Sequence, residues 1–485
     1  MMITDNAMKS FYRLFTITML SVSLVACNED TGFSASPLLR LSFSKDTLAF
    51  DTIFTTVGSP TQGLVVHNRN SNALRISDIT LAGGEQSGFN VLVDGQYGTG
   101  IKDVEVRGKD SIFVYTSVCL ERNGAQAPLL VKDSLLFTLE SGVRQQVLLL
   151  AYGRDVTFMR ARSITADTVI GKGHYVVYDS LVVAPGATLT LTDGATLYFH
   201  DKAFLKVEGC LVAAGSQEQP VVMRGDRTDN LFSYLPYDRV PGQWGGVLFT
   251  STSNENILSH CDIHSAKFGV KVELGDTALQ RISINSSKLY NFDGNAIELN
   301  MAHATVENSL IANARGNCVK VVGGDVSFVH CTIANFYVWD QRDVALALHN
   351  SVEGVPAPLR GALFANCIIS GSREDEIMGY LTNLGDTVPD CINYRFENSL
   401  INTIADGDTC FVDKSYDNTP LGKEHFRTID HDTFFYDFHL SEDSMARGRA
   451  SDLYLDLLPY DLDGVPRESG AVDAGCYQYV EPVEE

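Results

Sequence analysis

Two six-residue stretches, Val306-Glu-Asn-Ser-Leu-Ile311 and Phe328-Val-His-Cys-Thr-Ile333, follow one pattern 22 residues apart. Each has a large apolar residue first, a polar residue third, a small residue fourth and an aliphatic residue sixth. Four more segments share the pattern: Leu258–Ile263, Ile284–Leu289, Phe364–Ile369 and Phe396–Ile401. Their Cys or Ser positions lie 26, 22, 22, 36 and 32 residues apart. A period near 22 residues indicates rungs of a parallel β-helix, and the longer intervals predict loops inserted at rung corners.

The order of residues within the repeat predicts how each rung is folded. The small residue and the aliphatic residue two positions later share one strand face, because side chains alternate along a strand. The large apolar residue lies three positions before the small one, so a bend must separate them if both point inward. We place the bend at the polar residue, where Asn and His tolerate a left-handed backbone. The cysteines of the column, Cys261, Cys331 and Cys367, are interpreted as core residues and not as nucleophiles.

Sequences on both sides of the repeats resemble the ends of known β-helices. Val182–Phe199, Leu205–Val222 and Trp244–Phe249 are similar to the entry rungs of bacterial surface β-helix proteins. The segment from Asp461 to Tyr477 resembles the closing motif of β-helix proteins of the Bacteroidetes, with Cys476 where alanine is usual. The resemblance implies a right-handed parallel β-helix of the pectin-lyase-like type over residues 156–480, an extracellular setting and no particular activity. A short tail, 481–485, would follow.

Residues 41–155 predict an antiparallel β-sandwich, because short alternating strands are separated by turn residues at regular intervals. The predicted strands are Gly63–His67, Leu74–Leu81, Phe89–Val93, Ile112–Cys119, Ser134–Leu139 and Gln145–Ala151. The run from Leu64 through Ile79 resembles the opening hairpin of immunoglobulin-like domains of the ASPM, SPD-2 and hydin type. Such a domain would space and present the β-helix. The fold class predicted for the chain is all-β.

The N-terminus has the composition of an export signal. Lys9 and Arg13 lie at the start of an apolar stretch from Leu14 to Ala26 that is too short to span a bilayer, which predicts a signal peptide over residues 1–26. Met8 is a better start than Met1, because Asp5 would place an acid in a region that is normally basic. Leu24 to Cys27 resembles a bacterial lipobox, which implies lipidation of Cys27. The acidic residues that follow resemble the tether, here 27–40, of lipoproteins on the outer face of the outer membrane.

Composition restricts the partners. With 37 basic and 60 acidic residues the net charge is −23, a field that repels nucleic acid and polyanionic glycans. We therefore expect no nucleic-acid partner, a membrane contact through the lipid anchor only, and a neutral glycan or a surface protein as ligand. We expect a monomer without a cofactor. The cysteines are scattered, so no metal site is predicted, and only Cys391 and Cys410 are placed to form a disulfide.

No catalytic motif is present, since the chain contains no Asp-Asp pair, Gly-His-Gly, Arg-Ile-Lys, phosphate loop or HExxH sequence. We accordingly predict no catalytic residue. The best candidates for ligand contact lie on inserted loops, where aromatic and charged side chains occur together. They are Trp339, Asp340, Arg342 and Asp343 in the 36-residue interval, with Tyr234 and Tyr237 in an earlier loop.

Three functions fit this sequence. The leading hypothesis is a non-catalytic surface lipoprotein that binds a glycan or protein through the β-helix. The alternatives are a carbohydrate-active lyase, hydrolase or epimerase with a divergent site, and a structural component of the envelope. Acids from a neighbouring rung beside Trp339 in one cleft would favour the enzyme, whereas a flat face with scattered aromatic residues would favour binding.

Overall fold

The structure, a computed structural model, describes residues 32–125, 127–381, 392–404 and 422–482, together with the backbone of short strands at 411–412 and 415–416. The chain divides into two compact units after Asp155. Both units consist of β-strands with a few short 3₁₀ turns, at Gly84–Ser87, Tyr237–Arg239, Lys423–His425 and Asp452–Tyr454. The predicted all-β class, a sandwich followed by a parallel β-helix, is confirmed. Among these residues no helix is long and apolar enough to cross a membrane.

The first unit is a two-sheet sandwich. One sheet has the order β1-β3-β8-β5-β6 and the other β2-β10-β9-β4-β7. The strands are β1 (Ser42–Phe43), β2 (Thr47–Phe54), β3 (Gln62–Asn68), β4 (Leu74–Leu81), β5 (Phe89–Val93), β6 (Gln96–Gly98), β7 (Gly100–Val106), β8 (Asp110–Val118), β9 (Leu129–Leu139) and β10 (Arg144–Arg154). All six strands predicted from the sequence are present.

Two features of the sandwich differ from the prediction. Strand β2 pairs with β10 in parallel, so the unit is not purely antiparallel. Strands β3 and β4 do not form the expected hairpin, because they lie in different sheets. The buried Asn68 explains the sharp crossing between them: its side-chain amide donates to the carbonyl oxygens of Asn72, at 2.8 Å, and Val106, at 3.0 Å. These bonds satisfy backbone groups that a turn between two sheets would otherwise leave unpaired.

The second unit contains the following strands: β11 (Thr157–Ile164), β12 (Thr168–Ile170), β13 (Gly173–Val183), β14 (Thr188–Thr192), β15 (Ala195–Phe199), β16 (Phe204–Val207), β17 (Cys210–Ala214), β18 (Val221–Gly225), β19 (Asn230–Phe232), β20 (Leu235–Pro236), β21 (Val247–Phe249), β22 (Asn256–Ser259), β23 (Cys261–His264), β24 (Val270–Val272), β25 (Gln280–Asn285), β26 (Lys288–Phe292), β27 (Ile297–Glu307), β28 (Leu310–Ala314), β29 (Val319–Val329), β30 (Thr332–Asn335), β31 (Leu346–His349), β32 (Ser351–Val352), β33 (Val355–Pro356), β34 (Leu359–Ala365), β35 (Ile368–Gly371), β36 (Ile377–Tyr380), β37 (Arg395–Glu397), β38 (Leu400–Ile401), β39 (Phe411–Val412), β40 (Ser415–Tyr416), β41 (Phe426–Asp430) and β42 (Phe435–Leu440).

Parallel pairing between successive rungs produces three faces. The first face stacks β22, β25, β27, β29, β34 and β37. The second face stacks β23, β26, β28, β30, β35 and β38. The third face stacks β21, β24, β27, β29, β31 and β36, because the long strands β27 and β29 extend over two faces.

The interior confirms the repeat column by column. The first apolar residue, the small residue and the final aliphatic residue are buried in all six segments, with relative exposures of 2% or less. Phe328, Phe364 and Phe396 stack on one another with ring centroids 4.9 and 5.0 Å apart. The serines of the small column also join rungs, since the Ser309 hydroxyl donates to Glu307 at 2.6 Å and accepts the backbone N–H of Ser287 at 3.1 Å.

The predicted bend lies at the polar residue of each repeat. His260, Ser286, Asn308, His330, Asn366 and Asn398 all have φ between 47° and 54°. Their side chains contact along the stack, as the Asn308 amide donates to Ser286 at 3.1 Å. A second left-handed column follows the aliphatic residue by two positions, at Ser265, Asn291 and Asn313. Two left-handed bends therefore bound the strands β23, β26 and β28 of the second face.

The C-terminal segment covers the β-helix laterally. The antiparallel hairpin β41–β42 packs Phe426, Phe438 and Leu440 against outward apolar residues of the second face, including Leu310, Ile368 and Leu400. The segment expected to close the far end instead lies beside the middle rungs. Arg467 donates to Asn308 at 2.6 Å, and the Gly475 N–H donates to Asn366 at 2.8 Å. It thereby supplies polar partners to the first bend column.

Candidate functional site

A cleft of about 420 Å³ lies on the outside of the second face, beneath the C-terminal hairpin. Its floor consists of outward residues from β23, β26 and β28, which are neighbouring strands on the second face. Asp262, Lys288 and Leu310 are aligned there because parallel pairing places Asp262 beside Lys288 and Lys288 beside Leu310. Tyr290 lies one position further along the same face. The repeat thus generates a row of outward side chains about one strand spacing apart, ~4.8 Å.

The hairpin forms one wall of the cleft and the loop before β21 forms another. Phe434, Phe435, Tyr436 and Asp437 line the hairpin side. Arg239 of the loop donates to the carbonyl oxygen of Thr433 at 3.0 Å, and its guanidinium lies 5.0 Å from the ring centroid of Phe435. These contacts hold the loop and the hairpin turn together at the mouth of the cleft.

A network of charged side chains, joined by hydrogen bonds and an ion pair, lies on the hairpin side of the cleft. His439 hydrogen bonds with Asp437 on one ring nitrogen and with Asp463, at 2.7 Å, on the other. Lys288 lies 3.6 Å from Asp463, and the His439 ring packs 4.1 Å from that of Tyr477. Burial opposes the charged imidazolium, but the two carboxylates outweigh it and raise the pKa of His439 to about 9. His439 is therefore protonated at neutral pH.

The opposite side of the cleft contains a second charged group. Asp238 forms an ion pair with Arg224 at 2.5 Å. Asp262 Oδ1 lies 3.9 Å from His264 Nε2 and has no hydrogen bond within the described part of the chain. Tyr290 stacks on His264 with a centroid distance of 4.9 Å. Burial and then the charges of Asp262 and Asp238 raise the pKa of Tyr290 well above its usual value, so its hydroxyl remains a hydrogen-bond donor.

The loop containing Trp339 borders the hairpin, but its charged residues face elsewhere. Trp339 stacks on Phe434 with ring centroids 4.3 Å apart. Asp340 pairs with Arg315 at 2.8 Å, and Asp343 is exposed. Arg342 is buried, where it binds both carboxylate oxygens of Glu376, at 3.0 and 2.5 Å. Burial of Arg342 in this pair removes it from ligand contact, contrary to the candidate role that its sequence position indicated.

The other two candidates lie on the loop before β21. Tyr234 is exposed and stacks on Phe232 at 5.7 Å. Tyr237 lies under the Arg227 guanidinium, 3.9 Å from its ring centroid. The same loop contributes Asp238 and Arg239 to the cleft. Both predicted loops therefore lie near the turn of the hairpin. Among the candidate residues, Trp339 contacts a residue of the cleft, because it stacks on Phe434.

Sequence reasoning missed the floor of the cleft and its hairpin wall. Asp262 and Lys288 lie at outward positions of the repeat segments. The prediction from the sequence used only the inward positions, so it did not identify these two residues. A signal was present, because Leu310, Ile368 and Leu400 are apolar residues at outward positions and require a cover. The hairpin sequence Phe434-Phe-Tyr-Asp-Phe-His439 combines the aromatic and charged residues that supply this cover.

A second cavity, of about 400 Å³, lies between the first bend column and residues 457–464. Asn285, Ser286 and Asn308 line one side, and Asp461 lies on the other. Burial raises the pKa of Asp461 against hydrogen bonds from the backbone N–H groups of Gln478, Val465 and Asp463. Those bonds stabilise the fold of the C-terminal segment. The Asp461 carboxylate is therefore already occupied by structural hydrogen bonds.

The remaining cysteines and acids form no metal centre within the described ranges, where no group of three or more His, Cys, Asp or Glu is placed to hold an ion. The described cysteines are free thiols. Burial raises the pKa of Cys261 to about 12, which makes it a poor nucleophile and fits its role as a core residue. Cys27, Cys391 and Cys410 lie outside the described residues.

The fold and cleft define a β-helix protein with a lateral groove, and comparisons with known proteins add limited information. No protein-family model matches the chain. Protein bark beetle of Drosophila melanogaster is 35% identical over 72 residues, which cover 14% of this chain and 2% of that protein. The chain thus spans a very small part of this curated relative.

Solved structures match the chain only at low identity and low TM-score, as two of them illustrate. A protein of unknown function from Porphyromonas gingivalis W83 is 15% identical, covering 27% of this chain and 58% of its own, with a TM-score of 0.19. The catalytic unit of the thermostable GH87 alpha-1,3-glucanase from Streptomyces thermodiastaticus strain HF3-3 is 12% identical, covering 73% of this chain and 75% of its own, with a TM-score of 0.28. At these values the function must be argued from the cleft itself.

Proposed function

We propose that this protein is a non-catalytic envelope lipoprotein that binds a neutral glycan in the cleft beneath the C-terminal hairpin. The observation that carries the proposal is the composition of the cleft, where Tyr290, Phe434 and Phe435 lie beside Asp262 and Lys288. Aromatic rings offer faces for the apolar side of a sugar, and the charged groups hydrogen bond to its hydroxyls. The volume of about 420 Å³ lies in the range of small-ligand sites.

The balance of charge in the cleft favours a neutral ligand. Asp238, Asp262 and Asp437 are opposed by Arg239, Lys288 and the protonated His439. An anionic sugar would have to enter against the net charge of −23, and Lys288 and His439 are already paired with Asp463 and Asp437. A neutral sugar polymer is not repelled by the net negative charge, and it does not need an unpaired cationic group for binding.

The state of Asp437, the cleft acid on the hairpin, supports binding over catalysis. A glycosidase needs one carboxyl with a raised pKa as general acid and a second as base or nucleophile. Burial acts to raise the pKa of Asp437, but hydrogen bonds from His439 bring it below its usual value, and the bond from His439 also lowers the pKa of Asp463, which lies beside the cleft lining. Both acids remain ionised at neutral pH and serve to fix the hairpin.

The test is calorimetric titration of the full-length protein with neutral hexasaccharides of glucose, in β-1,4, β-1,3 and α-1,4 linkage, and of mannose. We expect binding by the wild type and at least tenfold weaker binding by Phe435→Ala, which corresponds to about 1.4 kcal/mol. The control is Leu274→Ala, another exposed apolar residue that lies outside the cleft. Equal affinity of wild type and Phe435→Ala for every sugar would contradict the proposed site.

A second candidate function is glycoside hydrolysis, favoured by Asp262. The Asp262 side chain lines the cleft close to Tyr290, and its buried Oδ1 has no hydrogen bond in the described part of the chain. Product analysis during the same titrations distinguishes the two functions. Shortened oligosaccharides that disappear with Asp262→Asn, but persist with Leu274→Ala, would establish the hydrolase and exclude a purely binding role.

The proposal includes a position at the outer membrane, anchored through Cys27 and facing the exterior as a monomer. The lipobox-like sequence ending at Cys27 supports it. We predict that Cys27→Ala releases the protein from the membrane fraction of expressing bacteria, because stable anchoring depends on attached acyl chains. Fractionation with immunodetection measures this, with Cys119→Ala as the control. Retention of Cys27→Ala in membranes would exclude lipidation as the anchor.

A further inference from the structure

The turn of the C-terminal hairpin has a backbone conformation that does not suit its sequence. Residues 431–434 join β41 to β42, and Phe434, the last of them, has a φ of 53°. A left-handed backbone is common for glycine and asparagine and rare for a residue with a large side chain. Such a residue persists only where its surroundings hold it, and strained backbone of this kind is frequent at ligand sites. The turn therefore needs a restraint from outside.

Contacts from two inserted loops supply this restraint. Trp339, on the loop between β30 and β31, stacks on Phe434 with ring centroids 4.3 Å apart. Arg239, on the loop before β21, donates to the carbonyl oxygen of Thr433 at 3.0 Å. Within the hairpin, the Asp430 carboxylate accepts a hydrogen bond from the Thr433 hydroxyl at 2.6 Å. Of these contacts, the stacking on Trp339 is the one made to the strained residue.

The loop that contains Trp339 is itself attached to the β-helix. The next residue, Asp340, forms an ion pair with Arg315 at 2.8 Å. Arg342, two residues further on, is held in the buried ion pair with Glu376. These contacts restrict the loop, so the indole gives a fixed support to the ring that stacks on it.

Phe434 connects the Trp339 loop to the cleft, because it stacks on the indole and also lines the cleft. In the described part of the chain, the cleft lining includes Phe434 and Phe435 but not Trp339. The backbone angles of Phe434 set the direction in which the chain enters β42, and with it the position of the Phe435 ring on the cleft wall. A wall that is formed in advance strengthens binding, because the ligand does not then have to order the turn.

We propose that Trp339 is a positioning residue of the cleft, which holds the hairpin turn in the conformation that presents Phe434 and Phe435 to the ligand. The inference rests on the proposed function of the cleft, and it gives Trp339 a role different from the direct ligand contact expected from the sequence. Without the indole, Phe434 leaves the left-handed region in part of the molecules, and those molecules do not bind. The apparent affinity then falls in proportion to the fraction that keeps the binding conformation.

Two measurements on the full-length protein test the proposal: hydrogen exchange without ligand, and calorimetric titration with the same neutral hexasaccharides. For Trp339→Ala we expect exchange of the amides of residues 431–435 to become about tenfold faster and binding to become about fivefold weaker. Trp339→Phe, which keeps a ring for stacking, should restore both to within about twofold of the wild type. The matched control is Val338→Ala, which removes the neighbouring exposed apolar side chain of the same loop and should change neither quantity.

Several outcomes would overturn the positioning role of Trp339. Weaker binding by Trp339→Ala with unchanged exchange would mean that the indole contacts the ligand directly. Faster exchange with unchanged affinity would mean that the conformation of the turn does not determine binding. If neither quantity changes, Trp339 has no role in the cleft. Absence of binding by the wild type to every sugar would instead contradict the proposed function of the cleft, and the positioning role would fail with it.

Discussion

At the scale of single residues, the repeat determined both the inward positions and the bends. The offset of three between the large and the small residue required a left-handed residue between them, and all six have positive φ. Asn and His occupy such positions at modest cost, because short polar side chains satisfy the local backbone. The second bend column, at Asn291 and Asn313, follows the same logic and was overlooked, although it repeats at the same spacing.

The inward positions predict a severe effect of a buried charge. Ile333→Asp places a carboxylate in an interior where Ile333 has no exposure, and we expect a loss of roughly 3–5 kcal/mol in stability. Ile257→Asp is the matched control, because Ile257 is 42% exposed on a strand of the same β-helix. Urea unfolding followed by circular dichroism measures both. Similar losses in the two variants would contradict the inward assignment of Ile333.

The buried pair of Arg342 and Glu376 leads to a prediction with a pH dependence. Arg342→Met leaves the Glu376 carboxylate buried without its cation, which costs about 3 kcal/mol at pH 7. Burial raises the pKa of Glu376 in the native protein even with the partner present. The isolated carboxyl therefore protonates more readily, and the loss should shrink towards pH 5.

Unfolding free energies at pH 7 and pH 5 test this behaviour, with the double variant Arg342→Met/Glu376→Gln as control. The double variant removes both charges. The backbone N–H groups of Ala345 and Arg373 donate to different oxygens of Glu376, so the single amide oxygen of Gln keeps an acceptor for one of them. The double variant should recover part of the stability at pH 7. A double variant as unstable as Arg342→Met would show that packing, and not an unpaired charge, causes the loss.

At the scale of elements, the rungs were predictable and their cover was not. Rungs repeat, so each supports the interpretation of the next. The hairpin β41–β42 occurs once and pairs with itself, and its position depends on outward residues such as Leu310 and Leu400 that are far away in sequence. The closing segment was placed wrongly for the same reason, because a motif specifies local structure but not the surface on which it lies.

The His439 bridge should make docking of the hairpin dependent on pH. A folded pKa of about 9, above the usual 6.5, means that the stabilisation is complete below pH 6.5 and lost as pH rises through 9. We expect His439→Gln to lower the unfolding free energy by about 2 kcal/mol at pH 6 and by much less at pH 10.

Urea unfolding of the wild type and His439→Gln at the two pH values provides the measurement. The control is His431→Gln, in the turn of the same hairpin, where burial and then the charge of Lys423 lower the pKa of the imidazole although Asp430 and Asp432 oppose the shift. His431→Gln should not reproduce the loss at pH 6. An effect of His439→Gln that is equal at pH 6 and pH 10 would show that its charge does not stabilise the hairpin.

At the scale of the whole molecule, the short alternating strands predicted the sandwich and the repeat predicted the solenoid, whereas the proposed ligand site in the cleft required coordinates. A site on a β-helix is built from outward residues of different rungs, and sequence spacing does not reveal which loops close over them. The sandwich and the β-helix have separate hydrophobic cores, one with Phe137 and the other with Phe364.

Separate cores predict two unfolding transitions, each sensitive to its own core. Phe137 packs 4.9 Å from Phe43, and Phe364 stacks between Phe328 and Phe396. Truncating either to alanine leaves a cavity that costs about 3–5 kcal/mol. We therefore expect Phe137→Ala to lower one calorimetric transition and Phe364→Ala the other, each leaving its counterpart in place. A single transition that both variants lower equally would mean that the two cores unfold as one cooperative unit, since cooperativity couples every contact within it.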